Sequence, residues 1–325
     1  MKKLKAVSLF SGCGGFDLGV SRNGAEIIWA NDINPNSASA YKSLFPQVEF
    51  VNRDIQKIHE FPEADILIGC YPCTGFSGAA RRKWKDRDER NLHTNDKNFL
   101  FQEFLRVIDI VKPKLIFIEN VRGMLSAEGG YFLNEQLEGF AQKGFDFVKP
   151  MILNAADYGV PQTRQRVFMA GFHRDLGELG IDKPTPTHGP KGKSPYVTLR
   201  DAIGDMDEWP EGEFWDKKFH GHFLTRNRKK SWDEPSYTIV ADGCHVPLHP
   251  MGDPMVYVST DKWALQGTIN RRLSWRECAR IQGLPDHIEI DGNLSAKYRV
   301  VGNSVPPDLA QKVSVQAIGR LSAIV

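Results

Sequence analysis

Short apolar runs at residues 5–10, 26–30, 64–69 and 115–118 punctuate the first half of the chain. Each run is rich in Val, Ile, Leu or Phe and ends in glycine or polar residues, the pattern of a strand buried on both faces. Between them, apolar residues recur at helical spacing. The spacing predicts helices over residues 17–23, over a stretch reaching about residue 44, and over 99–110, where Leu100, Phe104, Val107 and Ile108 share a face. Strand, loop and helix repeated in units of this length predict an α/β fold, a doubly wound and mostly parallel Rossmann-like sheet. Ligands of such sheets bind beyond the carboxyl ends of the strands.

The pattern stops near residue 183. Pro184, Pro186, Pro190 and Pro195 interrupt the chain, and the following hundred residues are rich in Trp, His, Pro and charge without a period. This predicts a second, smaller, loop-rich domain. Apolar spacing returns at Leu309, Val313, Val315 and Ile318, predicting a terminal helix that packs back on the first domain. The expected division is 1–176 plus 292–325 for the sheet-bearing domain and 177–291 for the smaller one.

Composition narrows the class without changing this picture. Of 325 residues, 41% are hydrophobic and 25% charged, as in a globular protein, and no apolar run approaches the roughly 20 residues that cross a bilayer. A membrane partner is therefore not expected. The net charge of +2 means that a nucleic-acid partner must be met by local basic patches. The five cysteines, Cys13, Cys70, Cys73, Cys244 and Cys278, suit reduced thiols and a cytoplasmic setting better than a disulfide framework.

Candidate chemistry gathers at the predicted strand ends. Phe10, Gly12, Cys13, Gly14 and Gly15 lie between the first strand and its helix, where a glycine turn and helix amides can receive a nucleoside cofactor. A NAD-type site or a ligand-free tight turn would give the same cluster. About twenty residues on, Asp32 can accept hydrogen bonds from a ribose diol, and Asp54 from a nucleobase amino group. Cys73 follows Pro72, whose fixed φ makes a stiff platform for a thiolate nucleophile. A redox Cys70–Cys73 pair is disfavoured deep in a long sheet. Half a zinc site lacks its other ligands, and Cys244, His245 and His249 lack a fourth, so no metal is expected. Glu119 ends the next strand, where a carboxyl can share a proton with a heterocycle nitrogen. Arg164 and Arg166, two apart, fall on one face of an extended segment and suit carbonyl or phosphate oxygens.

The order of these segments resembles that of the cytosine-5 DNA methyltransferases of restriction-modification type. It is carried by residues 10–15, Pro72-Cys73, Glu119-Asn120-Val121, 162–166, 276–280 and 302–305, which span nearly the whole chain. The resemblance implies an S-adenosyl-L-methionine pocket lined by Phe10, Asp32, Ile33, Asp54, Ile55, Pro72, Leu100, Asn303 and Val305. It implies attack by Cys73 on C6 of cytosine, with Glu119 at N3 and the exocyclic amine. Arg164 and Arg166 would hold the base carbonyl and the site geometry. Residues 273–285 would organise the small domain, and 177–291 would recognise the target sequence.

Thr74 departs from the family's usual glutamine after the cysteine. The chemistry needs the thiol, so catalysis is expected to survive. Cytosine inside a duplex is out of reach, so the base must be flipped. Residues 78–98, with Arg81, Arg82, Lys83, Lys85, Arg87, Arg90 and Lys97 against four acids, read as a loop closing on double-stranded DNA, with Ser77 beside it. In the small domain Arg226, Arg228 and Lys229 are expected to meet phosphates, with Thr238 near the bases. The expected partner is duplex DNA, bound by a monomer, with a cognate restriction endonuclease as a genetic companion.

Overall fold

The computed structural model describes residues 3–72 and 92–325. Seven strands form one sheet: β1 (Lys5–Leu9), β2 (Glu26–Asn31), β3 (Glu49–Val51), β4 (Ile66–Gly69), β5 (Leu115–Val121), β6 (Met151–Asn154) and β7 (Gln165–Phe172), in the order β3-β2-β1-β4-β5-β7-β6. The first five run parallel, and β7 is inserted antiparallel between β5 and β6. The carboxyl ends of β3, β2, β1, β4 and β5 therefore share one edge.

Helices α1 (Gly15–Arg22), α2 (Pro35–Leu44), α3 (Phe101–Val111) and α4 (Tyr131–Gln142) cover the sheet. Proline at the first position of α2 and the Asn34 side chain, which accepts from Asn36 N at 3.1 Å, set where that helix begins. Side chains of the strands alternate between two cores with period two. In β5, Leu115 and Phe117 face a core with Phe16, Tyr41 and Phe168, while Ile116 and Ile118 face one with Phe104, Phe132 and Phe140. Truncating such fully buried residues to alanine costs about 2–5 kcal/mol each.

The second half adds α5 (Leu199–Ile203), a two-stranded hairpin of β8 (Val256–Ser259) and β9 (Lys262–Ala264), α6 (Trp275–Ile281), α7 (Leu294–Asn303) and α8 (Pro307–Ile324). A third core joins Leu199, Ile203, Ile239, Leu273, Trp275 and Ile281 to Tyr298, Val300 and Val301 of α7. Inside it Glu277 is wholly buried and held by both terminal nitrogens of Arg271, at 2.6 and 2.8 Å. The helix α8 returns to the sheet as its spacing predicts, with Leu309, Val313 and Ile318 buried, but Val315 is 51% exposed because it lies on the opposite face. Among the described residues no helix is long and apolar enough to cross a membrane.

Candidate active site

The strand β1 ends in a strained turn. Phe10 adopts φ 54°, a left-handed conformation that costs a non-glycine residue about 1–2 kcal/mol. Its ring meets Tyr71 edge-on at 6.3 Å between centroids. The three glycines that follow serve different ends. Gly12 has φ 56° and its missing side chain would project into open space. A Cβ on Gly15 would instead stand 2.1 Å from Val305 O, so that glycine admits the backbone beyond α7. Gly14 packs against Tyr41 and Phe45, and Cys13 is buried, its thiol pushed up to about 11 by that burial.

Asp32 leaves β2 with its carboxylate accepting from Gly12 N at 3.0 Å and from Asn34 N at 2.8 Å. Burial raises its pKa, and those two amides oppose the shift. Beside it Ile33 is 66% exposed, a large apolar side chain standing at the sheet edge. Asp54, three residues beyond β3, accepts from Gln56 N at 3.1 Å, and Pro72 follows β4. Leu100 immediately precedes α3 and is half-buried. Asn303 is exposed at the end of α7, whereas Ile55 and Val305 turn their side chains inward. Chain order thus becomes one row along the sheet edge: Asp54, Asp32, Phe10, Pro72, Glu119.

Glu119 lies near the carboxyl end of β5 and pairs with Arg166 of β7, Nε to Oε1 at 3.0 Å, both side chains mostly buried. The register that sets Glu119 opposite Phe168 and Val121 opposite Arg166 brings the two together. Burial raises the Glu119 pKa, while Arg166 and then Arg164 pull it down. Burial lowers the pKa of Arg166, and Glu119 opposes that shift. The net effect is a carboxyl whose pKa stands above its ordinary value. Cys70 lies close by, its thiol driven well up by burial and by the charge on Glu119. Cys73, Thr74, Ser77, Arg81, Arg82 and Lys83, with the other charged residues of 78–91, lie outside the described residues.

Arg164 is directed elsewhere. Only 2% exposed, it donates Nη1 to Ile239 O at 2.8 Å and Nη2 to Gly302 O at 2.9 Å and Ser304 O at 3.1 Å. Gln162, fully buried, donates to Ile281 O and Gln282 Oε1 and accepts from Ile239 N. Thr238 donates to Thr163 O. The two arginines expected to act on one face are thus split: Arg166 serves the carboxyl and Arg164 ties the segment at Ile239 to residues 302–304. Sequence reasoning misses the tying role of Gln162 and Gln282, and its one available signal is that Gln162 begins the same motif.

Two expected phosphate contacts need correction. Arg228 and Lys229 are each 5% exposed. Arg228 donates to Phe223 O and His245 O, and Lys229 Nζ to Asp253 O and Asn270 Oδ1, so both cations are committed within the second half of the chain. Arg226 remains exposed.

The C-5 cytosine-specific DNA methylase family profile matches residues 4–319. The Type II methyltransferase M.BsuRI of Bacillus subtilis is 36% identical, over 96% of this chain and 78% of its own length. M.BspRI of Lysinibacillus sphaericus is 36% identical over 99% of this chain and 82% of its own. Among solved structures, the Entamoeba histolytica methyltransferase EhMeth superposes with a TM-score of 0.69 at 17% identity, over 99% of both chains, a likeness of fold. The chain belongs to the C-5 cytosine-specific DNA methylase family and is a DNA (cytosine-5)-methyltransferase.

Proposed function

We propose that the protein methylates C5 of a cytosine flipped out of a specific sequence in double-stranded DNA, through a covalent bond between Cys73 and C6. The observation that carries this reading is the Glu119–Arg166 pair at the end of β5, next to the end of β4 from which Pro72-Cys73 continues. A Cys73 thiolate would add to C6, moving the ring electrons toward C5, while Glu119 supplies a proton at N3 and accepts from the exocyclic amine. Arg166 would fix that carboxyl and reach toward the base carbonyl. Once C5 carries its methyl group, loss of the C5 proton to a base returns the electron pair and expels the thiolate.

The row of residues at the sheet edge fits S-adenosyl-L-methionine. Asp32 offers a carboxylate for the ribose diol, Asp54 one for the adenine amine, and Ile33 an exposed apolar wall beside them. The open space over Gly12 leaves room for the group, and Asn303 would close the pocket from α7. When bound, S-adenosyl-L-methionine supplies an electrophilic sulfonium methyl. Residues 1–176 with 292–325 would form the catalytic unit and 177–291 the target-recognition unit. The likeness to Type II methyltransferases supports a modification role beside a restriction endonuclease.

The test is transfer of labelled methyl from S-adenosyl-L-methionine to mixed-sequence duplex DNA. Incorporation that is abolished in Cys73→Ala, with denaturation-resistant protein–DNA adducts on 5-fluorocytosine duplexes, is expected. Incorporation that persists in Cys73→Ala would overturn the covalent route.

A further inference from the structure

The ladder between β2 and β3 ends at the pair Asn31 and Val51. Both carboxylates read as cofactor ligands lie past it, Asp32 one residue beyond β2 and Asp54 three beyond β3. Backbone pairing therefore does not by itself hold these two strand ends at the roughly 4.8 Å spacing of neighbouring strands. Side chains take over where the ladder stops. Asn31, 1% exposed, directs both hydrogens of its amide to the neighbouring strand end, Nδ2 donating to Val51 O at 2.8 Å and to Arg53 O at 2.7 Å. Val51 O also accepts from Arg53 N at 3.1 Å, so the turn leading into Asp54 is closed around one side chain. Asn52 reaches back the other way, its Nδ2 donating to Asp32 O at 2.7 Å.

The main chain of Asn31 is engaged as well. Its carbonyl accepts from Ser11 N at 2.9 Å and from Ser11 Oγ at 3.1 Å, in the turn where Gly12 N donates to the Asp32 carboxylate. One residue thus joins three strand ends of the row. Its carbonyl holds the turn after β1, its amide holds the turn after β3, and its own chain continues into Asp32.

We infer that Asn31 is a positioning residue for the base of the cofactor: by fixing residues 51–53 against the end of β2 it sets the separation of Asp32 and Asp54, and with it the preference for adenine. The inference rests on Asp32 and Asp54 being the ligands of ribose and adenine. A nucleoside held by its ribose at Asp32 presents its base edge to Asp54 at one distance only. An amine on that edge donates to the carboxylate. A carbonyl in the same place sets oxygen against oxygen, which a fixed turn rejects and a loosened turn relieves by moving aside. Asn31 does this without touching a ligand atom.

Calorimetric titration of the full chain with S-adenosyl-L-homocysteine and with S-inosyl-L-homocysteine, whose base carries a carbonyl in place of the amine, tests this. The unaltered protein is expected to prefer the adenine form by about 100-fold or more. Asn31→Ala is expected to bind S-adenosyl-L-homocysteine about tenfold more weakly and to cut the preference to about tenfold. Asn52→Ala alters an exposed side chain outside every core, so it keeps the test open should Asn31→Ala fail to fold. It is expected to lower both the affinity and the preference by about threefold. A purely structural role predicts that the two ligands weaken together. A preference that stays within about twofold of the unaltered value in every folded variant would therefore overturn the inference. Equal affinity of the unaltered protein for the two ligands would instead sink the assignment of Asp54 to the adenine amine, and the inference with it.

Discussion

The two glycines that bracket the turn after β1 predict opposite consequences for the same substitution. Gly15→Ala places a Cβ 2.1 Å from Val305 O and 2.3 Å from Ser304 Oγ, more than 1 Å inside ordinary contact, and one obstacle is main chain that cannot swing aside. Relief requires moving residues 304–305, and Ser304 O is one of the three acceptors of Arg164. Overpacking of this kind costs roughly 1–3 kcal/mol, and a strained buried hydrogen bond about 1 kcal/mol more. Gly12→Ala meets nothing within 4 Å and bears only the left-handed penalty of about 1–2 kcal/mol at φ 56°. Urea denaturation followed by tryptophan fluorescence should therefore rank Gly15→Ala as the more damaged by about 2 kcal/mol. Calorimetry should show the reverse weighting for the cofactor, with Gly12→Ala weakening S-adenosyl-L-methionine because its methyl fills space kept for the ligand. A Gly12→Ala variant less stable than Gly15→Ala, or one binding cofactor at full strength, would refute the division of roles.

Other outcomes follow from charges that burial has isolated. Arg166→Met removes the 3.0 Å partner of Glu119, so the carboxyl pKa climbs further. Methyl transfer should fall by about 10²-fold, with the limb of the pH–rate profile set by Glu119 moved to higher pH. Arg271→Met strands the wholly buried Glu277 and should cost about 3–5 kcal/mol in urea denaturation, much of it recovered in Arg271→Met/Glu277→Leu. Asp17, buried under the turn with Ser8 and Tyr41 donating to it, is raised to about 6 by burial. Its folded pKa exceeds its unfolded one, so the folded state takes up the proton first as pH falls from 6 toward 4. That gain, about 3 kcal/mol in full, should be missing from Asp17→Asn when stability is compared across the same range.

The parallel part of the sheet is legible because its signal is local. Alternation in β1, β4 and β5 fills two cores at once. The antiparallel insertion of β7 between β5 and β6 is a long-range choice that no local period encodes. The helix α4 is hidden in the sequence because it opens directly after Gly129-Gly130, a pair with the look of a loop. Likewise, a run such as Arg226 to Lys230 looks like a solvated basic patch until the carbonyls that cage Arg228 and Lys229 come from segments up to dozens of residues away. The motif singles out Arg164 and Arg166, but their different duties depend on which neighbours the fold delivers.

The three carbonyls on Arg164 bear on how much sequence change the segment at Ile239 can take. One comes from Ile239, one from Gly302 in the last turn of α7, and one from Ser304 just beyond that helix. A Cβ on Gly302 would stand 2.4 Å from the main chain of residues 240–241, so the same segment is also held by bare backbone contact. Both attachments read the shape of the incoming chain and ignore its side chains. The attachment is therefore indifferent to side-chain identity at residues 239–241, provided the main chain presents a carbonyl to Arg164 and packs against Gly302.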